Sequence, residues 1–302
     1  IKKMLSKLQA NKFNLNNIDL ASSHTSIGSD GWHSQNQSIF ANAQVGYRSK
    51  VYLDMTFRAD WNSSLWTAGA ITYPTIGLSG IVTELIPGMK SKFFPYWKIR
   101  ASYSEVGNSP DPALFLLDPR FVQTNGKVGT SSNRPNTSLK PERTKSWELG
   151  TNIHFFDSKL QLDATYYKSS TFNQFYNPRI SSTSFHSDMF LNGGQVDNRG
   201  VEMMLRYDDN AGKFNWGTYL TWTWNENKIV DLHFRDPETG ALMDGNGLPM
   251  GGFGGANTFL YEGGTLGDIY VTTVKTDEKG YYDLTSDGMI QANYDEKDMI
   301  YV

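Results

Sequence analysis

The sequence predicts an all-β fold of antiparallel strands, and three observations lead to this prediction. Apolar and polar residues alternate along much of the chain, short polar stretches separate the alternating segments, and aromatic residues are abundant, with 17 Phe, 16 Tyr and 8 Trp. Successive side chains of a strand point to opposite faces, so alternation indicates strands with one apolar and one polar face. No apolar run approaches the roughly 18 residues that a membrane-spanning helix needs.

The clearest alternation lies on either side of Ser49-Lys50, which is short enough for a tight turn. Every second residue is apolar from Ile39 to Tyr47 and again from Val51 to Trp61. Each segment therefore predicts one strand of a hairpin. Similar alternation occurs in six further segments, the first of which is weaker: 75–82, 97–104, 147–155, 160–167, 201–207 and 214–223.

The connections between these segments sort into two classes by length. The short ones are Ser49-Lys50, Asp157-Ser158 and Asp208–Lys213, and the long ones are Asn108–Arg143, Asn177–Arg199 and the residues after Asn225. Transmembrane barrels have short turns at one end and long loops at the other, with a girdle of aromatic residues at each membrane interface. Large aromatics do lie near the ends of the apolar faces here. A soluble β-sandwich also alternates, however, and stays open as an alternative on periodicity alone.

We divide the chain into three parts on this basis. Residues 1–38 are predicted to be a loop or short helical segment of the barrel domain. Residues 39–228 are predicted to form about eight antiparallel barrel strands. Residues 229–302 are predicted to be a long extracellular loop region with room for a further strand.

Six short motifs resemble, in order and spacing, those of the SusC/RagA family of TonB-linked outer-membrane proteins. The most specific is Leu139–Gly150, which reads LKPERTKSWELG and is similar to a motif that opens a family strand. One departure is Ser104-Glu105 after Tyr103, where the family usually has a glycine. The other matching segments are 52–61, 98–103 followed by Gly107-Asn108, 162–167, 198–202 and 267–270.

The resemblance implies part of a barrel of about 22 strands around a plug, in the outer membrane of a Gram-negative bacterium. Family members are much longer, so we expect this chain to be an internal barrel piece, with the plug and the TonB-contacting N-terminal region outside it. The implied function is uptake of oligosaccharides, driven through TonB, together with a SusD-like surface lipoprotein. The alternatives are a peptide importer of the same family, a passive porin, and a soluble β-rich binding or adhesion module.

Two groups of residues are candidates for this function. Polar residues on inward strand faces are expected to line a wettable lumen: Asp54, Arg58, Asp60, Arg100, Glu148, Asp163, Glu202 and Arg206. Aromatic residues assigned to long loops are expected to contact an oligosaccharide or peptide, because aromatic faces stack on sugars and pack on side chains: Trp66, Tyr73, Phe115, Phe175, Tyr176, Phe185, Phe190, Phe253 and Tyr261. For any single residue, pairing within the wall or packing between loops is the more frequent role.

Other classes of function lack support in the sequence. The five histidines have no metal-ligand spacing, there is no nucleophile elbow, and there is no cysteine. We therefore expect no catalytic residues, no resident metal and no cofactor. The net charge of −3 argues against a nucleic-acid partner, which requires a basic face, whereas outer-membrane lipid is an expected partner of the apolar face.

Overall fold

The structure is a computed structural model that consists almost entirely of strands. Among the residues that the structure describes, the one α-helix, α1, is a single turn at Val82–Leu85, and a 3-10 turn lies at Ser63–Leu65. The residues that it describes are 2–5, 27–30, 34–65, 67–110, 121–124, 127–130, 133–180, 186–209, 214–237, 239–253, 256–271, 274–292 and 300–301. Among the described residues, no helix has the length and apolar character to cross a membrane.

Eight long strands form most of one nine-stranded antiparallel sheet, which the short strand β15 completes. The strands are β1 (Lys2–Leu5), β2 (Ile27–Asp30), β3 (Asn36–Tyr47), β4 (Val51–Asn62), β5 (Ile71–Ile81), β6 (Tyr96–Asn108), β7 (Phe121–Thr124), β8 (Lys127–Thr130), β9 (Asn133–Arg134), β10 (Glu142–Phe155), β11 (Leu160–Tyr176), β12 (Asp188–Met189), β13 (Leu191–Asp209), β14 (Trp216–Arg235), β15 (Leu242–Asp244), β16 (Leu248–Phe253), β17 (Ala256–Leu260), β18 (Ile269–Val271) and β19 (Ile300–Tyr301). The order in the large sheet is β3-β4-β5-β6-β10-β11-β13-β14-β15, so each strand pairs with its neighbours in the chain, apart from the short strands in loops. The smaller sheets pair β1 with β2, β7 with β8, β9 with β12, and β16 to β19 in order.

The strand register carries the apolar positions onto one continuous face of this sheet. One row of directly paired residues takes a single member from each long strand: Val45, Leu53, Leu78, Ala101, Leu149, Tyr166, Val201 and Trp224. The adjacent row on the opposite face is mostly polar or glycine: Gln44, Asp54, Gly77, Ser102, Glu148, Tyr167, Gly200 and Asn225. A shift of one residue in any strand would exchange its two faces, so the register is fixed by the alternation.

The apolar face is not covered by any described part of the chain. Leu220 is 68% exposed, and Leu149 and Leu78 are more than half exposed. Aromatic pairs bound this face, because Trp147 packs on Tyr166 and Tyr207 packs on Trp216, each pair with ring centroids 5.3 Å apart. An exposed apolar band between aromatic rows suits lipid hydrocarbon and its interfaces rather than water.

Two of the turns at one end are tight and use left-handed backbone without glycine. In the β3–β4 turn, Arg48 and Ser49 have φ of 50° and 54°, and the Lys50 N–H donates to the Tyr47 carbonyl at 2.9 Å. Both central residues of a type I′ turn need positive φ, and its twist matches that of the flanking strands. The β10–β11 turn has three such residues, Phe156 to Ser158.

Several strands extend well beyond any membrane. β14 has 20 residues, which at about 3.3 Å each is far longer than an apolar band of about 25 Å. Beyond Trp224, its apolar side chains Ile229, Leu232 and Phe234 are buried in protein instead of facing lipid, whereas Val230 is exposed. The buried cluster there consists of Tyr176, Met189, Leu191, Val196, Ile229, Leu232, Phe234 and Leu260.

These extensions correct the predicted loop lengths. β13 begins at Leu191 and β14 continues to Arg235, so much of the predicted loop Asn177–Arg199 and the first residues after Asn225 are strand. Residue 228, the predicted end of the strand region, lies inside β14. The sequence analysis missed these strand extensions because the alternation of apolar and polar residues weakens where neither face of a strand contacts lipid. The weak segment at 75–82 is part of β5.

The two faces of β13 allow a matched test of orientation. Met203 pairs with Ala164 and Trp222 on the apolar face, whereas Met204 pairs with Asp163 and Thr221 on the polar face, and their exposures are 39% and 40%. In the full-length protein, we expect Met203→Arg to lower the free energy of unfolding in lipid by about 2–4 kcal/mol, since a cation near the bilayer midplane is costly.

The control, Met204→Arg, is expected to cost less than about 1 kcal/mol because its face is wet and offers Asp163 nearby. Urea unfolding in vesicles, followed by the electrophoretic shift between folded and unfolded barrel, measures both. Equal costs, or the reverse ranking, would contradict the assignment of the two faces.

Candidate functional site

An arginine laid flat across three strands organises the inner, polar face. Arg100 on β6 passes over Gly150 on β10 and reaches β11, where its guanidinium donates to Asp163 at 2.8 Å and to Thr165 at 2.6 Å. Asn152 also donates to Asp163, at 3.0 Å. A Cβ at Gly150 would lie 2.5 Å from Arg100 Nε, so the absence of a side chain there makes the crossing possible.

The register places all eight predicted wall residues on this same polar face. Arg58 pairs with Asp60 at 2.7 Å and Arg206 with Asp208 at 2.6 Å, each pair two residues apart on one strand. Asp54 accepts a hydrogen bond from Gln44. Glu148 and Glu202 are exposed. Five of the eight residues are thus in ion pairs: Arg58, Asp60, Arg100, Asp163 and Arg206. Contact of the eight residues with a lumen or a cargo stays a prediction.

Two tyrosine rings also lie over glycines of neighbouring strands. Tyr73 lies across Gly107, where a Cβ would come within 2.5 Å of the ring. Tyr167 lies equally close over its partner Gly200, and its hydroxyl accepts a hydrogen bond from Asn225 at 2.9 Å. The glycines thus keep large side chains flat against the wall, which leaves the space in front of it free.

The segment that leads into β10 ties neighbouring strands together at the end of the sheet that carries the long loops, which we call the rim. Leu139 is buried, and the Lys140 N–H and carbonyl both bond to the side chain of Asn192, at 2.7 and 2.8 Å. Asn192 also donates to the Asn173 carbonyl at 2.8 Å. Asn173 has a positive φ of 56° and is skipped in the β11–β13 pairing, which keeps the same register on both sides of it.

The two charged residues after Pro141 complete this fastening. Glu142 accepts the Phe175 N–H at 2.9 Å and the side-chain amide of Asn108 at 3.1 Å. Arg143 donates to the Thr72 carbonyl at 3.1 Å and lies 3.5 Å from Glu105. The motif residues from Leu139 to Arg143 therefore act as structural ties between strands β5, β6, β11 and β13.

The motif at Asn198-Arg199-Gly200 pairs residue by residue with Asn225-Glu226-Asn227 on β14. Arg199 and Glu226 form a bidentate pair with contacts of 2.8 to 3.1 Å. Asn227 donates to Asn198 at 2.7 Å and accepts the Leu266 N–H at 3.0 Å. This motif thus connects the barrel strands to the loop that follows β17.

Several of the aromatic residues that were predicted to lie in loops lie in strands or in buried clusters. Tyr73, Phe175 and Tyr176 lie in strands rather than loops, and Tyr176 is only 4% exposed in the buried cluster, so its ring is not available to a ligand. Sequence reasoning began β5 too late, at Thr75, and ended β11 too early, at Tyr167. Phe190 packs against the cluster of Leu65, Ile71 and Leu139.

The remaining members of that set are only partly described. Tyr261 is half-buried after β17 with its ring 5.2 Å from Tyr270, and Phe253 ends β16. Trp66, Phe115 and Phe185 lie outside the described residues. Ligand contact by any of these aromatics stays a prediction.

Two features were missed by sequence reasoning. The first is an open cleft of about 550 Å³ at the rim, lined among others by Thr67, Ser138, Lys140, Arg143 and Asn173. Its walls come from three distant parts of the chain, so no local pattern signals it.

The second missed feature is a cluster on the extension of β14. His233 Nδ1 lies 2.6 Å from Asp231 and 3.1 Å from Glu262. The hydrogen bond with Asp231 raises the pKa of His233, and the nearby carboxylates of Glu262 and Asp244 act in the same direction. The alternation of Asp231 and His233 is visible in the sequence, but Glu262 is brought in only by the fold.

The family of the chain follows from comparison with known proteins. The family model described as "TonB dependent receptor-like, beta-barrel" matches residues 6–296. The chain therefore belongs to this family and forms part of an outer-membrane β-barrel of Gram-negative bacteria. This excludes the soluble β-rich module that periodicity alone had left open.

Curated relatives support the same assignment. The chain is 26% identical to TonB-dependent receptor P3 of Formosa agariphila over 280 residues, which cover 84% of this chain and 28% of that protein. It is 25% identical to TonB-dependent receptor P39 of the same organism over 252 residues, covering 80% and 22%. The chain thus spans about a quarter of the length of these relatives.

Solved structures show the same fold. The RagAB peptide transporter superposes with a TM-score of 0.66 at 16% identity, over 95% of this chain and 32% of that one. RagAB in its "closed-closed" state, described as a peptide importer, superposes with a TM-score of 0.64. These matches agree with the SusC/RagA resemblance of the motifs.

The crossing of Arg100 over Gly150 predicts a specific steric effect. In the full-length protein, Gly150→Ala is expected to lower the free energy of unfolding by about 1–3 kcal/mol, because the new methyl group displaces Arg100 from Asp163. Thermal or urea unfolding measures the change. In a protein that already carries Arg100→Ala, Gly150→Ala should cost much less, since the new methyl group no longer meets the arginine side chain.

Gly77→Ala is the matched control on the same face. The nearest atom to its new Cβ is Asp54 Cβ at 3.7 Å, an ordinary contact, so the expected change is within about 0.5 kcal/mol. A penalty at Gly150 that persists without Arg100 would contradict the proposed cause.

The rim fastening predicts that Asn192 cannot be replaced by its isosteric acid. Asn192→Asp keeps the acceptor for Lys140 N–H but points a carboxylate at two carbonyls, which costs about 1–3 kcal/mol for the lost donors. We expect faster hydrogen exchange at residues 138–143 in the full-length protein.

Asn225→Asp serves as the comparison, because the Tyr167 hydroxyl that now accepts from Asn225 can instead donate. It should leave exchange at the rim unchanged. Unchanged exchange in Asn192→Asp as well would show that the amide does not hold this segment.

Proposed function

We propose that this chain supplies about a third of the barrel wall, together with part of the extracellular rim, of a TonB-dependent importer that takes up oligosaccharides with a SusD-like surface lipoprotein. The observation that carries the proposal is the two-faced sheet of a TonB-dependent receptor barrel: one continuous apolar face and one continuous polar face. TonB contact would come through an N-terminal region outside these residues.

The polar face supports passage of a hydrophilic cargo. Its charges are neutralised locally, as in the pairs Arg100–Asp163 and Arg206–Asp208, so the wall has no strong field of one sign. Large side chains lie flat over Gly150 and Gly200 on this face. Such a wall hydrogen-bonds a plug or water without holding one cargo tightly.

The rim supports a hydroxyl-rich cargo. The cleft beside Ser138 and Asn173 offers hydroxyl and amide groups together with the cations Lys140 and Arg143. Elsewhere, half-buried Tyr261 follows β17, and its ring lies 5.2 Å from that of Tyr270 on β18. Neutral polar groups and aromatic faces are the groups that bind sugars.

A peptide cargo is the second candidate, and one specific observation favours it. The solved structures that superpose at TM-scores of 0.64 to 0.66 are described as a peptide importer or transporter. At 16% identity this likeness concerns the fold, so the cargo must be decided by experiment.

The test uses cells that carry the intact parent gene and its neighbours. We expect labelled oligosaccharides to accumulate in wild-type cells and not after deletion of the parent gene, TonB or the lipoprotein gene, whereas labelled peptides enter all strains equally. Uptake of peptides alone in a TonB-dependent manner would favour the second candidate. Uptake that survives deletion of TonB would show a passive pore and overturn the proposal.

A further inference from the structure

Three potential metal ligands converge on one point of the β14 extension. Asp231 and His233 are two residues apart on β14, and Glu262 follows β17. One oxygen or nitrogen of each lies within 4.8 Å of the other two, and this is the one such group among the described residues. The three side chains are between a third and a half exposed, so an ion can reach them from solvent.

The geometry fits a shared cation. Both carboxylates approach the same nitrogen, His233 Nδ1, at 2.6 and 3.1 Å. One N–H can donate well to only one of them. Ligand atoms of a metal bound at about 2.0–2.2 Å are separated by roughly 3–3.4 Å. The Glu262 oxygen already lies at such a distance from His233 Nδ1, and the Asp231 oxygen needs to move away from it only slightly.

The charges also favour a cation. Among the ion pairs between described residues, His233 is the sole partner of Asp231 and Glu262. Asp244 on β15 is the direct cross-strand neighbour of His233 and adds a third carboxylate. Arg235, the nearest arginine along β14, donates to the Gly240 carbonyl instead.

We propose that Asp231, His233 and Glu262 form a binding site for a divalent transition-metal ion of the zinc class. One imidazole nitrogen and two carboxylate oxygens are a donor set suited to such an ion, and water would complete the coordination. Calcium and magnesium prefer oxygen ligands alone. The site does not depend on which cargo the protein carries.

The ion would fasten the loop after β17 to the barrel extension. Hydrogen bonds already join the two. The backbone of Ile229 pairs with Gly263 and Gly264 at 2.8 Å, and the Leu232 N–H donates to the Glu262 carboxylate at 2.9 Å. A metal held by residues from both elements adds a bond that survives brief opening of these contacts. The same loop also carries Leu266, which is bonded to Asn227.

Titration calorimetry with Zn²⁺ tests the site on the full-length protein, purified in detergent and stripped with a chelator. We expect wild type to bind one more zinc ion per chain than His233→Gln and Glu262→Gln, or to bind it at least ten-fold more tightly. The control His154→Gln, at an inner-wall histidine bonded to Ser158, should match wild type.

Hydrogen exchange gives a second readout that does not rely on the variants. Zinc should slow exchange at residues 256–264 of wild type, and Ca²⁺ at the same concentration should not. Equal zinc binding by wild type and either site variant, no effect of zinc on exchange, or an equal effect of Ca²⁺ would each overturn the proposal.

Discussion

The constraint on which the structure depends is that lipid offers no hydrogen-bond partner to a backbone. Every N–H and C=O within the hydrocarbon must therefore be paired by the protein, and antiparallel strands achieve this only with unbroken ladders. The eight long strands pair continuously from β3 to β14, and their alternation then dictates which side chains meet lipid. Register, turns and the two faces all follow from keeping that ladder intact, as the tight β3–β4 turn at Arg48 and Ser49 shows.

Because the apolar side chains face outward, the barrel wall has no ordinary hydrophobic core. Its inner face is held instead by polar side chains that cross neighbouring strands, and glycines make the crossings possible. Arg100 over Gly150 and Tyr167 over Gly200 are two instances of the same solution. In the part of the chain that the structure describes, buried clusters form beyond the membrane-facing band, one with Ile229, Leu232 and Phe234 and the other with Leu65, Ile71 and Leu139. Within the single strand β14, apolar side chains therefore face lipid in one part and are buried in protein in the other.

The recognised motifs acquire a physical meaning from this arrangement. In this structure, the residues Leu139 to Arg143 and Asn198 to Gly200 form structural ties. They join strands and loops at the rim through side-chain bonds to backbone, as Asn192 and Glu142 do. Such ties hold loops on a rigid wall, which is the setting in which variable loops can select different cargoes.

The sequence by itself determined the strand class, the two faces and which face carries the eight candidate wall residues, because alternation with a period of two is visible locally in each strand. It also determined the family through short motifs. The tertiary structure alone decided where strands end beyond the membrane, which removed Tyr176 from the candidate ligand contacts. It also decided which distant residues meet: Arg100 with Asp163, Lys140 with Asn192, and Glu262 with His233. Those meetings depend on register across several strands and on loops that return to the sheet, and neither leaves a local pattern.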